Sequence, residues 1–315
     1  MDFENTETLL EVAKIKTLKS LKIKNSGSHQ AYSRAIKALA ENCNQFEELE
    51  IDEIGDTDLL EISKLKALKS FKFFSGTLNA KQIEALTKCD SLESVSLALY
   101  EYDMARIESA LNEFFLKHKL SLKRIKIGTF RLAMQNNILK NLSLCENLEE
   151  IAAFNVSNFS NSDLARLFQL PKLKRLAVNH LNNFPRELRR TIVINNLMAN
   201  LEEFEGTCDV FRTSDPQLIF QMPKIRNLKL FRDPWVLSKT KRLVLEQMNC
   251  PSLERLVLSG FRSENPFDLN ALRSLLKQFP DLKSVQIIGN VDKDLRFDHL
   301  YQISKECGIF LVFGL

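Results

Sequence analysis

The chain has 315 residues, and its 44 Lys and Arg against 40 Asp and Glu give a formal net charge of +4. This near balance lacks the basic excess that is typical of nucleic-acid-binding domains. No apolar run reaches the roughly 18 residues that a membrane-spanning helix needs. The acidic first residues also lack the basic and apolar segments of a signal peptide. We therefore expect neither nucleic acid nor a membrane as the partner.

An apolar pattern, L-x-x-L-x-L, recurs along the whole chain at intervals of 22 to 30 residues. Between the copies lie segments with the apolar spacing of a helix, such as 103–117 and 267–278. A further helical segment, 7–14, precedes the first copy. The first hydrophobic residues of the twelve copies are Leu18, Phe46, Leu68, Leu92, Leu122, Leu148, Leu173, Leu201, Ile225, Leu253, Leu282 and Phe310.

One strand and one helix in each short repeat predict an α/β leucine-rich-repeat solenoid. We expect a horseshoe with about twelve parallel strands on its concave face and helices on its convex face. The whole chain, 1–315, is predicted to form a single domain. Residues 1–17 are predicted to form the first helix and N-terminal cap, and residues 18–315 the twelve strand–helix repeats.

The residue directly after each first hydrophobic residue alternates in charge through eleven copies. Neighbouring parallel strands lie about 4.8 Å apart, so opposite charges at these positions attract each other. We predict that they form an inter-strand charge ladder, the alternative being a solvated charged surface. The ladder consists of Lys19, Glu47, Lys69, Glu93, Lys123, Glu149, Lys174, Glu202, Arg226, Glu254 and Lys283.

Five cysteines each stand three residues before the first hydrophobic residue of an even-numbered copy. They are Cys43, Cys89, Cys145, Cys250 and Cys307. None forms a C-x-x-C pair, and residues two repeats apart are too distant for a disulfide. We expect reduced thiols in the core, because buried cysteine behaves as a small hydrophobic residue. Reduced thiols indicate the cytoplasm or the nucleus.

Residues 250–258, Cys-Pro-Ser-Leu-Glu-Arg-Leu-Val-Leu, resemble the repeats of cysteine-containing, ribonuclease-inhibitor-like proteins and of F-box/LRR proteins. The resemblance extends over about residues 5–315. It implies a protein-interaction scaffold that recognises substrates for an SCF-type ubiquitin ligase, with a Skp1- or cullin-type partner. No F-box is recognisable before the first repeat, so an inhibitor-like or structural scaffold unrelated to ubiquitination is the alternative.

The sequence contains no motif typical of catalysis or cofactor binding. The four histidines, His29, His118, His180 and His299, lie in different repeats and lack the spacing of metal ligands. Neither a glycine-rich phosphate loop nor a G-x-S-x-G nucleophile turn occurs. We therefore expect a protein that is not an enzyme and that has no metal or cofactor.

Strand side chains two, four and six residues after each first hydrophobic residue are predicted to face the concave side. Basic and acidic residues are interleaved there, which does not suit a nucleic-acid backbone. The basic residues are Lys22, Lys24, Lys72, Arg124, Lys126, Arg175, Lys229 and Arg255. The acidic residues are Glu48, Glu50, Asp52, Glu150, Glu203 and Glu205.

Three phenylalanines occupy the sixth-residue column, and large exposed aromatic residues are common at binding hot spots. Phe231 has the strongest context, because Arg232 and the single tryptophan, Trp235, follow it. The alternative is that these rings only cover the sheet. The predicted partner site on the concave face and its loops comprises Phe74, Phe154, Glu203, Glu205, Lys229, Phe231, Arg232, Trp235 and Arg255.

The last copy, 310–315, is predicted to form a strand at the end of the sheet. Terminal repeats normally need a polar cap, because an open apolar edge favours association. No such cap follows in the sequence. We therefore expect weak self-association through this C-terminal strand.

Overall fold

The computed structural model describes most of the chain. The described residues are 6–23, 29–51, 60–73, 78–99, 104–129, 141–154, 161–178, 186–211, 218–231, 244–261, 266–290, 301, 303–305 and 308–314.

Twelve strands follow one another in chain order in an all-parallel sheet. Two further strands, β9 (Phe220–Gln221) and β11 (Met248–Asn249), pair separately. This arrangement confirms the predicted α/β repeat architecture. The twelve strands are β1 (Ser20–Ile23), β2 (Glu48–Ile51), β3 (Ser70–Phe73), β4 (Ser94–Leu99), β5 (Arg124–Thr129), β6 (Glu150–Phe154), β7 (Arg175–Val178), β8 (Glu203–Thr207), β10 (Asn227–Phe231), β12 (Arg255–Phe261), β13 (Ser284–Gly289) and β14 (Phe310–Gly314).

The first helix precedes β1, and the other helices lie in the segments between the strands. The predicted helix 103–117 corresponds to α4 (Met104–His118), and 267–278 corresponds to α7 (Leu269–Gln278). Helix α7 begins at Leu269 because the Asp268 side chain accepts a hydrogen bond from the Ala271 backbone N–H, 2.7 Å away. The helices are α1 (Thr6–Ala13), α2 (His29–Asn42), α3 (Ala80–Thr87), α4 (Met104–His118), α5 (Asn161–Phe168), α6 (Arg186–Ile194) and α7 (Leu269–Gln278), with 3₁₀ helices at Cys208–Val210 and Val244–Gln247.

The chain divides into two compact units. The first comprises Met1–Asp163 with Leu170–Lys172, and the second comprises Leu164–Gln169 with Leu173–Leu315. Strands β1–β6 belong to the first unit and β7–β14 to the second. A single domain over residues 1–315 stays a prediction.

Eleven strands begin two residues after the first hydrophobic residue of their copy, as predicted. The twelfth does not. Phe310 pairs with Ser284, which lies two residues after Leu282, so the equivalent of Leu282 is Gly308. The last strand, Phe310–Gly314, lies where it was predicted, but the predicted register of this copy was wrong by two residues. Every residue from Ile309 to Phe313 is apolar, so periodicity alone could not identify the buried positions.

The strands show the alternation of burial that the pattern predicts. Leu21 and Ile23 of β1 are buried, as are Leu228 and Leu230 of β10, while the residues beside them are exposed on β1 and half-buried on β10. The residues three and five positions after the first hydrophobic residue therefore face the core. The opposite surface of the sheet, which carries the residues two, four and six positions after it, is called the open face below.

Gly206 departs from the apolar pattern because a neighbouring ring occupies its space. A Cβ atom at Gly206 would lie 2.7 Å from the Phe204 ring and 3.1 Å from the Val178 carbonyl oxygen. The Phe204 ring packs edge-on against Phe211, with centroids 5.3 Å apart, and Phe211 packs in the same way against Phe220 at 5.0 Å. One large aromatic residue thus fills the volume of two apolar positions.

The described cysteines, Cys43, Cys89, Cys145, Cys208 and Cys250, are buried, and none of these five forms a disulfide. Two thiols point to backbone carbonyls of the preceding repeat: Cys43 Sγ lies 3.0 Å from Ile15 O, and Cys145 Sγ lies 3.7 Å from Phe115 O. Burial raises the pKa of Cys89, Cys145 and Cys250 to about 12. Cys307 lies outside the described residues, and the corrected register removes it from the predicted column.

Candidate protein-interaction surface

The charge ladder lies along the edge where the strands begin. Within each unit, a ladder residue donates its backbone N–H to the carbonyl of the preceding ladder residue at 2.7 to 2.9 Å. The repeats therefore hold the charged side chains in register, and the prediction of a ladder is confirmed. The ion pairs are Lys69–Glu47 at 3.0 Å, Lys123–Glu93 at 2.8 Å, Lys174–Glu202 at 3.9 Å and Lys283–Glu254 at 3.0 Å.

The pKa of Glu254 shows the effect of this arrangement. The hydrogen bond from Lys283 lowers it below its ordinary value, and the positive charges of Arg226 and Arg255 act in the same direction. Glu254 thus interacts with cations from both neighbouring repeats. This supports the interpretation that the alternation of sign places each charge between two opposite charges along the edge.

On the open face of the second unit, the structure brings three predicted site residues together. Lys229 Nζ lies 5.1 Å from the centroid of the Phe231 ring and 3.3 Å from Glu205 Oε1. Phe231 is half-buried. A cation held over an aromatic face by a carboxylate is an ordered arrangement rather than a free hydrophobic anchor.

Glu203 and Arg255 lie on either side of this cluster. Glu203 accepts hydrogen bonds from Arg175 Nε at 2.8 Å and from Asn227 Nδ2 at 3.0 Å. Arg255 is exposed and pairs in register with Asn227 and with Ser284. The carboxylate of Glu203 therefore interacts with side chains of the protein itself, while the charged group of Arg255 is exposed to solvent.

The remaining predicted site residues are not part of this described cluster. Phe74, Arg232 and Trp235 lie outside the described residues. Phe154 is the last residue of β6 in the first unit, where only its backbone position is described. Their part in partner binding stays a prediction.

The sequence interpretation missed an exposed aromatic residue on the open face of β14. Phe310 is 67% exposed and lies in the same row as Arg255 and Ser284. Because the register of the last copy was predicted wrongly, Phe310 was not expected on the open face. Because residues 309–313 are all apolar, the sequence pattern contains no signal that could have found it.

The open face of the first unit contains a second feature, along β4. All six residues of this strand are buried, including the open-face residues Ser94 and Ser96. On the adjoining strands, Ser96 lies between the exposed cations Lys72 on β3 and Lys126 on β5, while Ser94 lies between Ser70 and the exposed Arg124. The side chains of β4 are thus shorter than the cations beside them.

Among the described residues, no group of His, Cys, Asp and Glu side chains has the arrangement of a metal site. In the same part of the chain, no helix is long and apolar enough to cross a membrane.

Comparison with known proteins identifies the fold. No family model matches the chain, and no curated protein matches it. Among solved structures, the chain is similar to one described as the crystal structure of a Rad7 and Elc1 complex in yeast. The identity is 16% and the TM-score is 0.57, and the match covers 99% of this chain and 84% of that chain. This similarity and the twelve-stranded parallel sheet show a leucine-rich-repeat-like α/β solenoid.

Proposed function

We propose that this protein is a protein-interaction scaffold that binds a partner through the open face of its sheet. The observation that carries this proposal is a row on β12–β14 in which the exposed Arg255, the half-buried Ser284 and the exposed Phe310 follow one another. These side chains are not needed for the core, because the buried residues alternate with them along each strand. An exposed phenylalanine in the same row as an exposed arginine, with one serine between them, is typical of a binding surface.

The proposed role is substrate recognition within a ubiquitin ligase. Two facts support it: the resemblance of the repeats to those of F-box/LRR proteins, and the similarity of the fold to a chain from a complex that contains Elc1. In this role, the repeats bind the substrate and a Skp1- or Elc1-type adaptor links the protein to the ligase. The protein itself has no catalytic function in this scheme.

We place this role in the cytoplasm or the nucleus. The free, buried cysteines support this placement, since their thiols pack as core side chains and need no oxidising compartment.

The ligase link can be tested with purified components. The full chain is mixed separately with Skp1, with Elc1 and with an unrelated small acidic protein, and complex formation is measured by size-exclusion chromatography with light scattering. We expect a stable complex with one of the two adaptors and none with the control. Binding to neither adaptor would contradict the ligase role and leave the inhibitor-like or structural scaffold as the better proposal.

A further inference from the structure

The first strand of the twelve-stranded sheet has a free edge. β1 stands first in the order of the sheet, and among the described residues it pairs only with β2. The backbone N–H and C=O groups along an unpaired edge can form hydrogen bonds with an added strand. Another polypeptide segment can therefore extend the sheet at the free edge of β1.

Backbone hydrogen bonds in the next repeat show which groups of this edge are available. The N–H groups of Glu47 and Glu48 both donate to the Lys19 carbonyl oxygen, at 2.8 and 2.9 Å. The equivalent N–H groups at the start of β1 belong to Lys19 and Ser20. Among the described residues, neither of them has a preceding carbonyl to which it makes this bond. Two backbone donors are thus available to the carbonyl of an added strand.

Two apolar side chains beside this edge are more exposed than their equivalents in the next repeat. Ile15 stands three residues before the first hydrophobic residue of its copy and is 47% exposed, whereas the equivalent Cys43 is 3% exposed. Leu18 is half-buried, whereas the equivalent Phe46 is fully buried. Cys43 contacts the preceding repeat, since its Sγ lies 3.0 Å from the Ile15 carbonyl oxygen. Ile15 and Leu18 therefore lack the neighbour that covers the same positions one repeat later.

The charge ladder also ends at this edge with a positive charge. Lys19 is exposed and forms no ion pair with a described residue. Glu47, in the next repeat, is instead paired with Lys69 at 3.0 Å. Within the ladder, Lys69 stands between two acidic residues, Glu47 and Glu93, whereas Lys19 has an acidic neighbour on one side. An acidic residue on an added strand would supply the neighbour on the other side.

The even-numbered copies of this chain show which sequence suits the position before an odd-numbered copy. They carry glutamate at the ladder position, and each precedes a copy that carries lysine or arginine there, except the last. The second copy, residues 46–51, reads Phe-Glu-Glu-Leu-Glu-Ile, and its strand β2 pairs with β3 in parallel register. The free edge of β1 lies where a segment of this pattern would stand before the first copy.

We propose that the free edge of β1 binds an extended acidic segment of a partner protein, which joins the sheet as a parallel strand. The segment has the pattern apolar–acidic–x–apolar–x–apolar. The carbonyl of its acidic residue accepts hydrogen bonds from the N–H groups of Lys19 and Ser20, and its carboxylate pairs with the Lys19 ammonium group. Its first apolar side chain covers Leu18. This surface is separate from the open face, so the inference goes beyond the proposed function and does not depend on it.

The charge at this edge favours an acidic partner over a second copy of this chain. The strand at the other end of the sheet order is β14, and its ladder position is occupied by Ile309, since the next residue, Phe310, donates its N–H to the Lys283 carbonyl. Isoleucine has no charge to pair with Lys19. A second copy that docked through β14 would therefore leave the Lys19 charge without an opposite neighbour.

The test uses the full chain and two fluorescently labelled peptides. The acidic peptide has the sequence of residues 45–52, and the control peptide is the same except that lysine replaces Glu47. Fluorescence anisotropy measures their binding. We expect the control peptide to bind about fivefold more weakly, because the attraction to Lys19 becomes repulsion. The acidic peptide should also slow hydrogen–deuterium exchange in the fragment that contains β1, since it bonds to the free N–H groups there.

Charge reversal on the protein tests the side-chain contact. Lys19→Glu should bind the acidic peptide more weakly, and the control peptide more tightly, than the native protein does. The matched control is Lys283→Glu, which reverses an exposed ladder lysine beside a strand that is paired on both sides. It should bind both peptides as the native protein does.

Proline at position 20 tests the backbone contact. Ser20→Pro removes an N–H that faces the free edge, while the Lys19 carbonyl that bonds to the next repeat is retained. It should weaken binding of the acidic peptide about tenfold. Ser20→Ala keeps the N–H and should bind more tightly than Ser20→Pro. Both variants lose the hydrogen bond from Ser20 Oγ to the Glu48 carboxylate, so their comparison isolates the backbone donor.

Three results would overturn the inference: equal binding of the two peptides or of neither, unchanged affinities in Lys19→Glu, or equal binding by Ser20→Pro and Ser20→Ala. Sedimentation velocity adds a fourth, because self-association that Ser20→Pro abolishes would identify a second copy as the occupant of the edge. Adaptor binding is measured on the same preparation. If the adaptor binds and the acidic peptide does not, the strand-addition site fails while the proposed ligase role stands.

Discussion

Lys123 is joined to Glu93 twice, through an ion pair of 2.8 Å between Nζ and Oε2 and through a hydrogen bond of 2.7 Å from its backbone N–H to the Glu93 carbonyl. The backbone contact belongs to the repeat and holds the two side chains beside each other. The side-chain contact depends on the alternation of sign. The two effects can therefore be separated by changing charge alone.

Glu93→Lys should destabilise the protein, because it places three positive charges in a row with Lys69 and Lys123. Glu93 and Lys123 are 33% and 44% exposed, so solvent screens the pair and the expected loss is about 0.5–1 kcal/mol. Urea denaturation measures the free energy of unfolding at low and high salt. Salt should remove most of the loss.

The neutral variant Glu93→Gln provides the control for this ladder experiment. It should lose less stability than Glu93→Lys, since it removes the attraction without adding repulsion. The same loss at both salt concentrations, or equal losses in the two variants, would show that the alternating charges do not stabilise the sheet.

Gly206 and Gly128 form a matched pair for testing the aromatic packing of the second unit. Gly206→Ala should cost about 1–3 kcal/mol, because its methyl group would overlap the buried Phe204 ring. Gly128→Ala should be neutral or slightly stabilising, since its methyl group meets no atom and alanine suits a strand better than glycine. Denaturation midpoints compare them, and equal effects would contradict the packing account.

His118 should make the stability of the first unit depend on pH. It is buried and packs against Phe114, with ring centroids 4.6 Å apart. Burial lowers its pKa below the ordinary 6.5, and Lys117 acts in the same direction, while a backbone hydrogen bond with Leu86 and the charge of Asp90 oppose the shift. In the unfolded chain the imidazole takes up a proton near pH 6.5, whereas in the folded protein it does so only at lower pH.

The unfolded state therefore gains protons first as pH falls, and stability should decrease between about pH 7 and the lower folded pKa. Melting temperatures measured over this interval should show a steeper fall for the native protein than for His118→Gln, which cannot be protonated. Parallel curves for the two proteins would show that His118 does not carry the pH dependence.

Weak self-association through β14 stays a prediction. Phe310 is exposed on this strand, and Leu311 and Val312 are half-buried. Sedimentation velocity should show a concentration-dependent rise in mass that Val312→Lys reduces, because charge on an edge strand opposes pairing. A constant monomer mass at all concentrations would contradict it.

Much of the fold could be predicted because the buried residues repeat with a fixed spacing. In eleven copies, a polar residue stands directly before the first core-facing residue of the strand, as in Asn227-Leu228, and this fixes the register. In the last copy, apolar residues follow one another without interruption and both registers match the pattern. Only the backbone pairing of Phe310 with Ser284 distinguishes them.

The site could be predicted less well, because the position of a residue in the repeat does not show how deeply its side chain is buried or which side chain it contacts. The sequence places Lys229 and Phe231 on the same face, but only the structure shows the ammonium group over the ring. The sequence likewise shows Lys72 and Lys126 as scattered cations. The burial of Ser96 between them depends on the heights of neighbouring side chains in three dimensions.

The most direct test of the account compares the partners that the native chain and its open-face variants bind in cells. Phe310→Ser changes the row on β14, and Tyr301→Ser changes an aromatic residue of similar exposure, 72%, that lies outside the sheet. Both should fold with unchanged melting temperatures. Proximity labelling followed by mass spectrometry should show partners that Phe310→Ser loses and Tyr301→Ser retains. Identical partner sets for all three proteins would contradict binding through this part of the open face.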